Sequence, residues 1–243
     1  MVKGAMEQLR LQAIDWGIRA NRTRMALLST YAELLANYEL ANVIGTKRWD
    51  KIVLDHLVDA LSCFAIEDLH RRNSLIDVGT GAGLPGIPLA IARPELHVTL
   101  LESTGKKVRF LKHACATLNL RNSRLVHDRA ENSGRQAIYR EAFDIATARA
   151  LASLPVVLEY CAPLVCVGGV IVAMKGRLQE EELSKGAAAS RELGLVLREV
   201  KEVKYLEQLP EKERQLVIFD KVGSIPDRFP RKPGSAKKRS LGT

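Results

Sequence analysis

A glycine-rich turn at residues 75–86 constrains the fold of this 243-residue chain more than any other stretch. The apolar residues before it indicate a short strand, and glycines then follow at positions 79, 81 and 83. Glycine allows the backbone to take a positive φ and allows a ligand to approach the main chain closely. Pro85 lacks an N–H and suits the first turn of a helix. The segment therefore predicts a strand, a ligand-binding turn and the start of a helix.

Candidate strands alternate with helical patterns from this turn onwards, which is typical of a parallel sheet covered on both faces. The seven candidates are residues 75–79, 97–102, 123–127, 143–147, 169–174, 196–204 and 215–220. Only a short polar segment separates the last two, which leaves no room for a crossover helix. We therefore expect these two strands to pair as an antiparallel hairpin at one end of the sheet.

The two ends of the chain differ from this middle part. Residues 1–72 carry apolar side chains at helical spacing and no alternating run, which predicts an N-terminal helical extension. Residues 73–222 would form the sheet domain, and residues 223–243 form a basic, proline-rich tail. We expect this tail to be too polar to form a packed element. It can be a solvated end or a strap that binds phosphate groups.

The composition indicates the partners and the compartment. The net charge of +9 favours a polyanionic partner such as nucleic acid. The four cysteines show no Cys-x-x-Cys pair and no zinc spacing with histidine, so we expect no metal and a reducing, cytoplasmic location. The longest apolar run, residues 160–174, is interrupted by Pro163 and a glycine pair, and is shorter than the roughly 20 residues of a membrane span. We expect no membrane partner.

The glycine turn is compatible with two kinds of ligand. Gly81-x-Gly83-x-x-Gly86 matches the dinucleotide fingerprint, in which the first glycine directly follows the strand. Here the strand ends at Gly79, and Asp77 comes just before it. A carboxylate pointing into the turn would repel a pyrophosphate. It would favour a ligand with an amino group and a sulfonium, namely S-adenosylmethionine.

The ends of the next two strands also favour a nucleoside ligand. Glu102 ends the second strand, where a carboxylate can accept hydrogen bonds from both ribose hydroxyls. It could instead cap the helix that starts near Thr104. Residues 128–131 follow the third strand and are placed to meet an adenine edge, although Glu131 could be a surface acid. Because parallel sheets bind ligands at the carboxyl ends of their strands, these positions together favour a methyltransferase over a dehydrogenase.

The tip of the fourth strand bears on the methyl acceptor. It lacks the Asn/Asp-Pro-Pro-aromatic turn of exocyclic-amine methylases, and neither Cys161 nor Cys166 follows a proline, as a pyrimidine C5 methylase would require. An acceptor with its own lone pair and no proton to lose, such as guanine N7, requires neither device. Arg149 at this tip can hold a phosphate, the base edge or the cofactor carboxylate. Its alternative role is a structural salt bridge.

Taken together, these motifs resemble the RsmG family, formerly called glucose-inhibited division protein B. The resemblance includes the Leu-Pro-Gly end of the glycine turn, and His56 and Asp59 stand where the family has an N-terminal histidine and aspartate. Further matching stretches are residues 101–111, 129–131, 143–144, 148–150, 174–176 and 229–234. The resemblance implies a bacterial methyltransferase that transfers a methyl group from S-adenosylmethionine to guanine N7 of 16S ribosomal RNA.

The fold that we expect is α/β: a Rossmann-like class I S-adenosylmethionine-dependent methyltransferase with a mostly parallel seven-stranded sheet, an antiparallel end hairpin and an N-terminal helical extension. The residues that the resemblance places against the cofactor are Gly79, Leu84, Ala130, Glu131 and Arg149. From the strand ends and the turn we add Asp77, Gly81, Gly83 and Glu102. Arg149 is also the expected catalytic residue.

The expected partner is 16S ribosomal RNA or the small ribosomal subunit. The residues expected to bind this RNA are Lys175, Arg231, Lys232, Lys237 and Lys238. Two alternative functions remain. One is a methyltransferase of a small molecule with the same fold, and the other is a non-catalytic, ribosome-associated RNA-binding module.

Overall fold

A computed structural model describes residues 2–40, 42–207, 209 and 213–242 of the chain. Over these residues the fold is a seven-stranded sheet with helices on both faces. The strands are β1 (Ser74–Val78), β2 (His97–Glu102), β3 (Ser123–His127), β4 (Phe143–Arg149), β5 (Val165–Lys175), β6 (Leu195–Glu202) and β7 (Gln215–Lys221). All seven correspond to strands predicted from the sequence. The fourth runs two residues further than predicted, so that Arg149 is its last residue.

The strand order is β3-β2-β1-β4-β5-β7-β6. Strands β1 to β5 pair in parallel, whereas β7 pairs antiparallel with both β5 and β6. This arrangement confirms the mostly parallel sheet with an antiparallel hairpin at its end. The order reverses between β1 and β4, and ligands of open α/β sheets bind beside such a reversal, at the carboxyl ends of the strands.

The N-terminal part of the chain is helical, as predicted. It contains α1 (Val2–Asp15), α2 (Arg22–Asn37), α3 (Trp49–Lys51), a π-helical stretch (Ile52–Leu57), α4 (Val58–Leu61), a 3-10 stretch (Ser62–Ala65) and α5 (Asp68–Arg71). Their buried side chains share one core with the first crossover helices and one face of the sheet. The helical extension therefore covers this face of the sheet.

The crossover helices cover the two faces of the sheet. They are α6 (Gly86–Ala92), α7 (Gly105–Thr117), α8 (Ala130–Ser133), α9 (Leu154–Cys161) and α10 (Glu180–Glu192), and α11 (Ser235–Lys238) follows the last strand. Helix α9 and the C-terminal segment pack in a second core against the opposite sheet face. No helix among the described residues has both the length and the apolar character that crossing a membrane requires.

The C-terminal segment, residues 223–242, packs on the protein, so the prediction that this tail forms no packed element is wrong. Phe229 is 1% exposed and belongs to the core beside α9. Arg140 donates to the carbonyl of Phe229 at 2.9 Å, and Arg135 donates to the carbonyl of Pro230 at 2.5 Å. The prediction failed because it rests only on the composition of the tail itself. The tail is held by one aromatic side chain and by donors elsewhere in the chain.

Candidate active site

The turn after β1 contains three glycines in the left-handed region, with φ of +66° at Gly79, +63° at Gly81 and +93° at Gly83. A β-carbon on Gly83 would lie 2.5 Å from Ile87 in the core, and one on Gly79 would lie 2.5 Å from Leu151. The position of Gly81 is open, with its nearest neighbours at 3.8 Å. The absence of a side chain at Gly83 therefore allows Ile87 to pack against the turn. The absence of a side chain at Gly79 allows Leu151 to lie close to the main chain of the turn.

Asp77 holds this turn together. One carboxylate oxygen accepts from the Thr80 hydroxyl at 2.5 Å and from the Gly86 amide at 2.9 Å, and the other accepts from the Thr147 hydroxyl at 3.0 Å. The side chain is 0% exposed. The assumption that Asp77 presents its charge to the ligand is therefore corrected, since the carboxylate is directed into the protein. Asp77 therefore supports the shape of the turn, and its contact with the cofactor stays a prediction.

Replacing Asp77 by Asn is expected to change the pH dependence of stability. Burial raises the pKa of Asp77 from 3.8 to about 6. The folded chain therefore holds this proton more tightly than the unfolded chain. As a result, Asp77's contribution to stability is complete below pH 4 and is lost as the pH rises through 6. An amide can keep the three hydrogen bonds, because the Thr147 hydroxyl can also accept.

The measurement is urea unfolding of both proteins between pH 4 and pH 7. As the pH rises from 4 to 6, the unfolding free energy of the wild type should fall by about 2–3 kcal/mol relative to that of Asp77→Asn. Above pH 6 the difference between the two proteins should stay constant. Identical slopes for the two proteins would contradict the assignment of Asp77 as a buried, pH-titrating support of the turn.

Tyr31 braces the same turn from the N-terminal extension. Its hydroxyl donates to the carbonyl of Ala82 at 2.5 Å, and its side chain is 0% exposed. Tyr31 is not among the site residues predicted from the sequence. Tyr31 lies 51 positions before its partner, and its helical spacing indicates only a core position.

Tyr31→Phe is expected to lower the unfolding free energy by about 1–3 kcal/mol, because it leaves a buried carbonyl without its donor. The turn would also loosen, so the KM for the cofactor should rise severalfold while kcat changes less. The comparison variant is Tyr38→Phe, at the end of the same helix, where the ring packs edge-on against Phe110. Equal effects of the two substitutions on the cofactor KM would contradict a specific role for Tyr31.

Glu102 binds main-chain amides at two places, within the β1 turn and just before α7. Its carboxylate accepts from the Gly81 amide at 2.9 Å and from the Thr104 amide at 2.8 Å. The second contact is the helix-capping alternative, because Thr104 precedes the first residue of α7. Each carboxylate oxygen has a further lone pair, so these contacts are compatible with accepting from ribose hydroxyls as well. The ribose contact stays a prediction.

A cleft at the carboxyl edge of the sheet brings several predicted residues together. Its walls come from the β1 turn, the end of β2, the β3–α8 segment, helix α9 and the C-terminal segment. The lining residues are Val78, Gly79, Leu101, Ser103, Asp128, Arg129, Ala130, Glu131, Leu151, Tyr160 and Lys237. Gly79, Ala130 and Glu131, which the resemblance assigns to the cofactor, are all among them. Lys237, which the sequence assigns to RNA binding, is exposed and also lines the cleft.

Glu131 is the most buried charged group of this cleft, with 4% of its surface exposed. It accepts from the Gly234 amide at 2.9 Å and lies 3.7 Å from the Arg129 guanidinium. Burial and the neighbouring Glu131 carboxylate raise the pKa of Tyr160 to about 12, so this phenol stays protonated at neutral pH. Glu131 is therefore a buried acceptor rather than a surface acid.

Arg149 ends β4 in an ion pair with Asp59, at 2.8 Å. Arg214 binds the same carboxylate through two nitrogens, one of them at 2.8 Å. Asp59 is 1% exposed, and the side chains of Arg149 and Arg214 are 13% and 15% exposed. The structural salt bridge, which is the alternative role of Arg149, is thus present. The catalytic and cofactor-binding roles of Arg149 remain predictions, and Arg214 was missed because it lies 155 residues from Asp59 in sequence.

The other predicted residues fall into two groups. Leu84 is 5% exposed in the turn, Lys175 donates to the carbonyl of Ala152 at 2.7 Å and to Glu182 at 2.8 Å, and Arg231 pairs with Glu159. These three therefore have partners inside the protein. Lys232 and Lys238 are exposed. Among the described residues, no group of three or more His, Cys, Asp or Glu side chains is placed to hold a metal ion.

Comparison with known proteins identifies the family. The GidB family, described as rRNA small subunit methyltransferase G, matches residues 24–216. The Ribosomal RNA small subunit methyltransferase G of Rubrobacter xylanophilus is 47% identical over 240 residues, covering 98% of this chain and 92% of that protein. The protein of the same name from Alkaliphilus metalliredigens is 37% identical, covering 93% of this chain and 95% of the relative.

Among solved structures, Aeropyrum pernix fibrillarin in complex with natively bound S-adenosyl-L-methionine has the same fold. Its TM-score is 0.53 at 14% identity, covering 67% of this chain and 73% of that one. The expected class I methyltransferase fold is therefore confirmed, as is the resemblance on which the cofactor assignment rests. The chain belongs to the GidB family of S-adenosylmethionine-dependent methyltransferases.

Proposed function

We propose that this protein transfers the methyl group of S-adenosylmethionine to N7 of a specific guanine in 16S ribosomal RNA of the small subunit. The observation that carries the proposal is the cleft at the carboxyl edge of the sheet, formed by Gly79 and Glu131 in a chain of the GidB family. The related proteins are named for ribosomal RNA of the small subunit. The reaction would take place in the cytoplasm, where this RNA is assembled.

The residues of the cleft fit the cofactor. Gly79 lines the cleft without a side chain of its own, and the main chain at Ala130 with Glu131 suits an adenine edge. Glu102 is not among the lining residues, but its carboxylate binds the Gly81 amide of the same turn and offers further lone pairs for ribose hydroxyls. When bound, S-adenosylmethionine supplies a methyl group activated by its sulfonium.

The chain's own task is positioning. Guanine N7 carries a lone pair and no proton, so its direct attack on the methyl carbon requires no general base. As the new bond forms and the carbon–sulfur bond breaks, the positive charge moves from the sulfur to the base. The protein's contribution is then the orientation of the two reactants in line. An ion pair with Asp59 fixes the position of Arg149. Arg149 lies two residues before Leu151, which lines the cleft, and from there its guanidinium can hold the acceptor base or a phosphate.

RNA would be bound on the same edge by exposed lysines such as Lys232 and Lys238. The net charge of +9 supports a polyanionic substrate. Affinity should fall steeply as salt is raised, because binding releases counterions from the RNA.

The experiment is methyl transfer from tritiated S-adenosylmethionine to 16S RNA or to 30S particles, followed by reduction and aniline cleavage. We expect label in the RNA and strand cleavage at one guanine, since aniline cuts at N7-methylated guanine after reduction. Label without cleavage would contradict N7 as the acceptor. Cofactor binding without any label in RNA would contradict the RNA substrate and favour the non-catalytic or the small-molecule alternative.

A further inference from the structure

The C-terminal segment forms one wall of the cofactor cleft, and one of its lysines lies in that wall. Lys237 and Lys232 are both exposed, but only Lys237 is among the residues that line the cleft, together with Asp128 and Glu131. We propose that Lys237 binds the nucleoside half of S-adenosylmethionine, in addition to any contact with RNA. The inference rests on the proposed function, because it assigns a further residue to the same cofactor site.

The position of Lys237 is set by contacts on both sides of it. The preceding residue, Ala236, is 1% exposed and packs in the core beside α9. Three residues before Lys237, the Gly234 amide donates to the buried Glu131 carboxylate at 2.9 Å. Lys237 therefore belongs to a short helix (α11) whose preceding residue, Gly234, binds a residue that the resemblance assigns to the cofactor.

A second anchor holds the start of the segment. Arg231 binds Glu159 of α9 through its main-chain amide at 3.2 Å and its Nε at 2.8 Å. Glu159 is itself 1% exposed, so this ion pair is fixed at its acidic end. With Phe229 buried next to it, the segment is held against α9. Lys237 thus has a defined place at the cleft, unlike a lysine on a solvated tail.

The charges in the cleft give this lysine a function. Asp128 and Glu131 both line the cleft. Asp128 already accepts from the Arg129 amide and from the Asn132 and Gln136 side chains, and Glu131 accepts from the Gly234 amide. A bound nucleoside would displace the remaining water from both carboxylates. Removing water from carboxylates is costly unless a cation compensates. The guanidinium of Arg129 lies 3.7 Å from Glu131, longer than a hydrogen bond, so an ammonium from Lys237 would add to the compensation. An ammonium has three donors, and a nucleoside offers ring nitrogens and ribose oxygens as acceptors.

The test compares two lysines of one segment in the full-length protein. Calorimetry measures the Kd for S-adenosylhomocysteine, and filter binding measures the Kd for 16S RNA, for the wild type, Lys237→Ala, Lys237→Arg and Lys232→Ala. We expect Lys237→Ala to weaken S-adenosylhomocysteine binding about tenfold, the effect of losing one hydrogen bond from a charged group. Lys237→Arg should recover most of this loss. Lys232→Ala should stay within twofold of the wild type for the cofactor product and weaken RNA binding only.

A purely structural role or a purely RNA-binding role makes different predictions. Equal S-adenosylhomocysteine affinities for Lys237→Ala and Lys232→Ala would overturn the inference. A drop in the unfolding midpoint of Lys237→Ala that fully accounts for its weaker binding would also overturn the inference. Lys237→Gln is the second variant in which stability and S-adenosylhomocysteine affinity are compared. Failure of the wild type itself to bind S-adenosylhomocysteine would instead overturn the proposed function.

Discussion

Gly79→Ala is expected to weaken S-adenosylmethionine binding at least about 100-fold, or roughly 3 kcal/mol, while the chain still folds. The new β-carbon would lie 2.5 Å from a Leu151 methyl group, and both positions line the cleft. Leu151 would have to move, and because it lines the cleft, its movement would change the space that the ligand occupies. The φ of +66° adds strain, because alanine tolerates this region poorly.

The matched control is Gly176→Ala. A β-carbon there meets no atom within 4 Å and the residue has no positive φ, so both folding and cofactor affinity should be unchanged. Calorimetry with S-adenosylmethionine measures the affinity, and circular dichroism checks the fold. Wild-type affinity in Gly79→Ala would refute the assignment of this turn as the cofactor site.

Asp59→Asn is expected to lower the unfolding free energy by about 3–5 kcal/mol, the cost of breaking a buried ion pair from one side. The carboxylate is 1% exposed and holds both Arg149 and Arg214. Without its charge, two poorly hydrated guanidinium groups face each other across a neutral amide. The end of β4 and the residue before β7 should then be held less firmly against α4, and methyl transfer should fall with the loss of Arg149's position.

Urea unfolding at neutral pH measures this loss. Adding Arg214→Gln to Asp59→Asn should recover part of it, because the second change removes one of the two facing charges. Asp50→Asn breaks a more exposed pair with Arg48 and should leave the unfolding midpoint unchanged. A loss below about 1 kcal/mol in Asp59→Asn would contradict the view that this carboxylate joins the N-terminal helices to the site.

The parts of the fold that depend on local patterns were predicted correctly from the sequence. The seven strands follow from short apolar runs between turns, and the end hairpin follows from the lack of room for a crossover helix before Gln215. The glycine turn follows from the need for a positive φ at Gly79, Gly81 and Gly83. These features are set by residues close together in the chain, which is why a single sequence is sufficient.

The parts that depend on distant contacts were not predicted. Tyr31 reaches Ala82, Arg214 reaches Asp59, and Gly234 reaches Glu131, across 51, 155 and 103 residues respectively. Nothing in the local composition around these residues indicates their partners. The C-terminal segment was misjudged for this reason: its polar composition predicts solvation, yet its arginine finds a buried acid on α9.

Asp77 shows a second reason why the site could not be predicted fully from the sequence. Its position at the end of a strand was read correctly, but the direction of its carboxylate depends on Thr80, Gly86 and Thr147, which offer it three donors within the protein. A buried carboxylate takes such donors in preference to facing an open cleft. The sulfonium cofactor was therefore inferred from a charge that in the structure supports the turn.

A crystal structure of the full-length protein with S-adenosylhomocysteine tests the central claim most directly. The account predicts density for the ligand in the cleft at the carboxyl edge of the sheet, with its adenine beside Ala130 and Glu131, its ribose hydroxyls at Glu102 and its amino-acid part passing Gly79. Density for the ligand elsewhere on the protein, with this cleft empty, would contradict it.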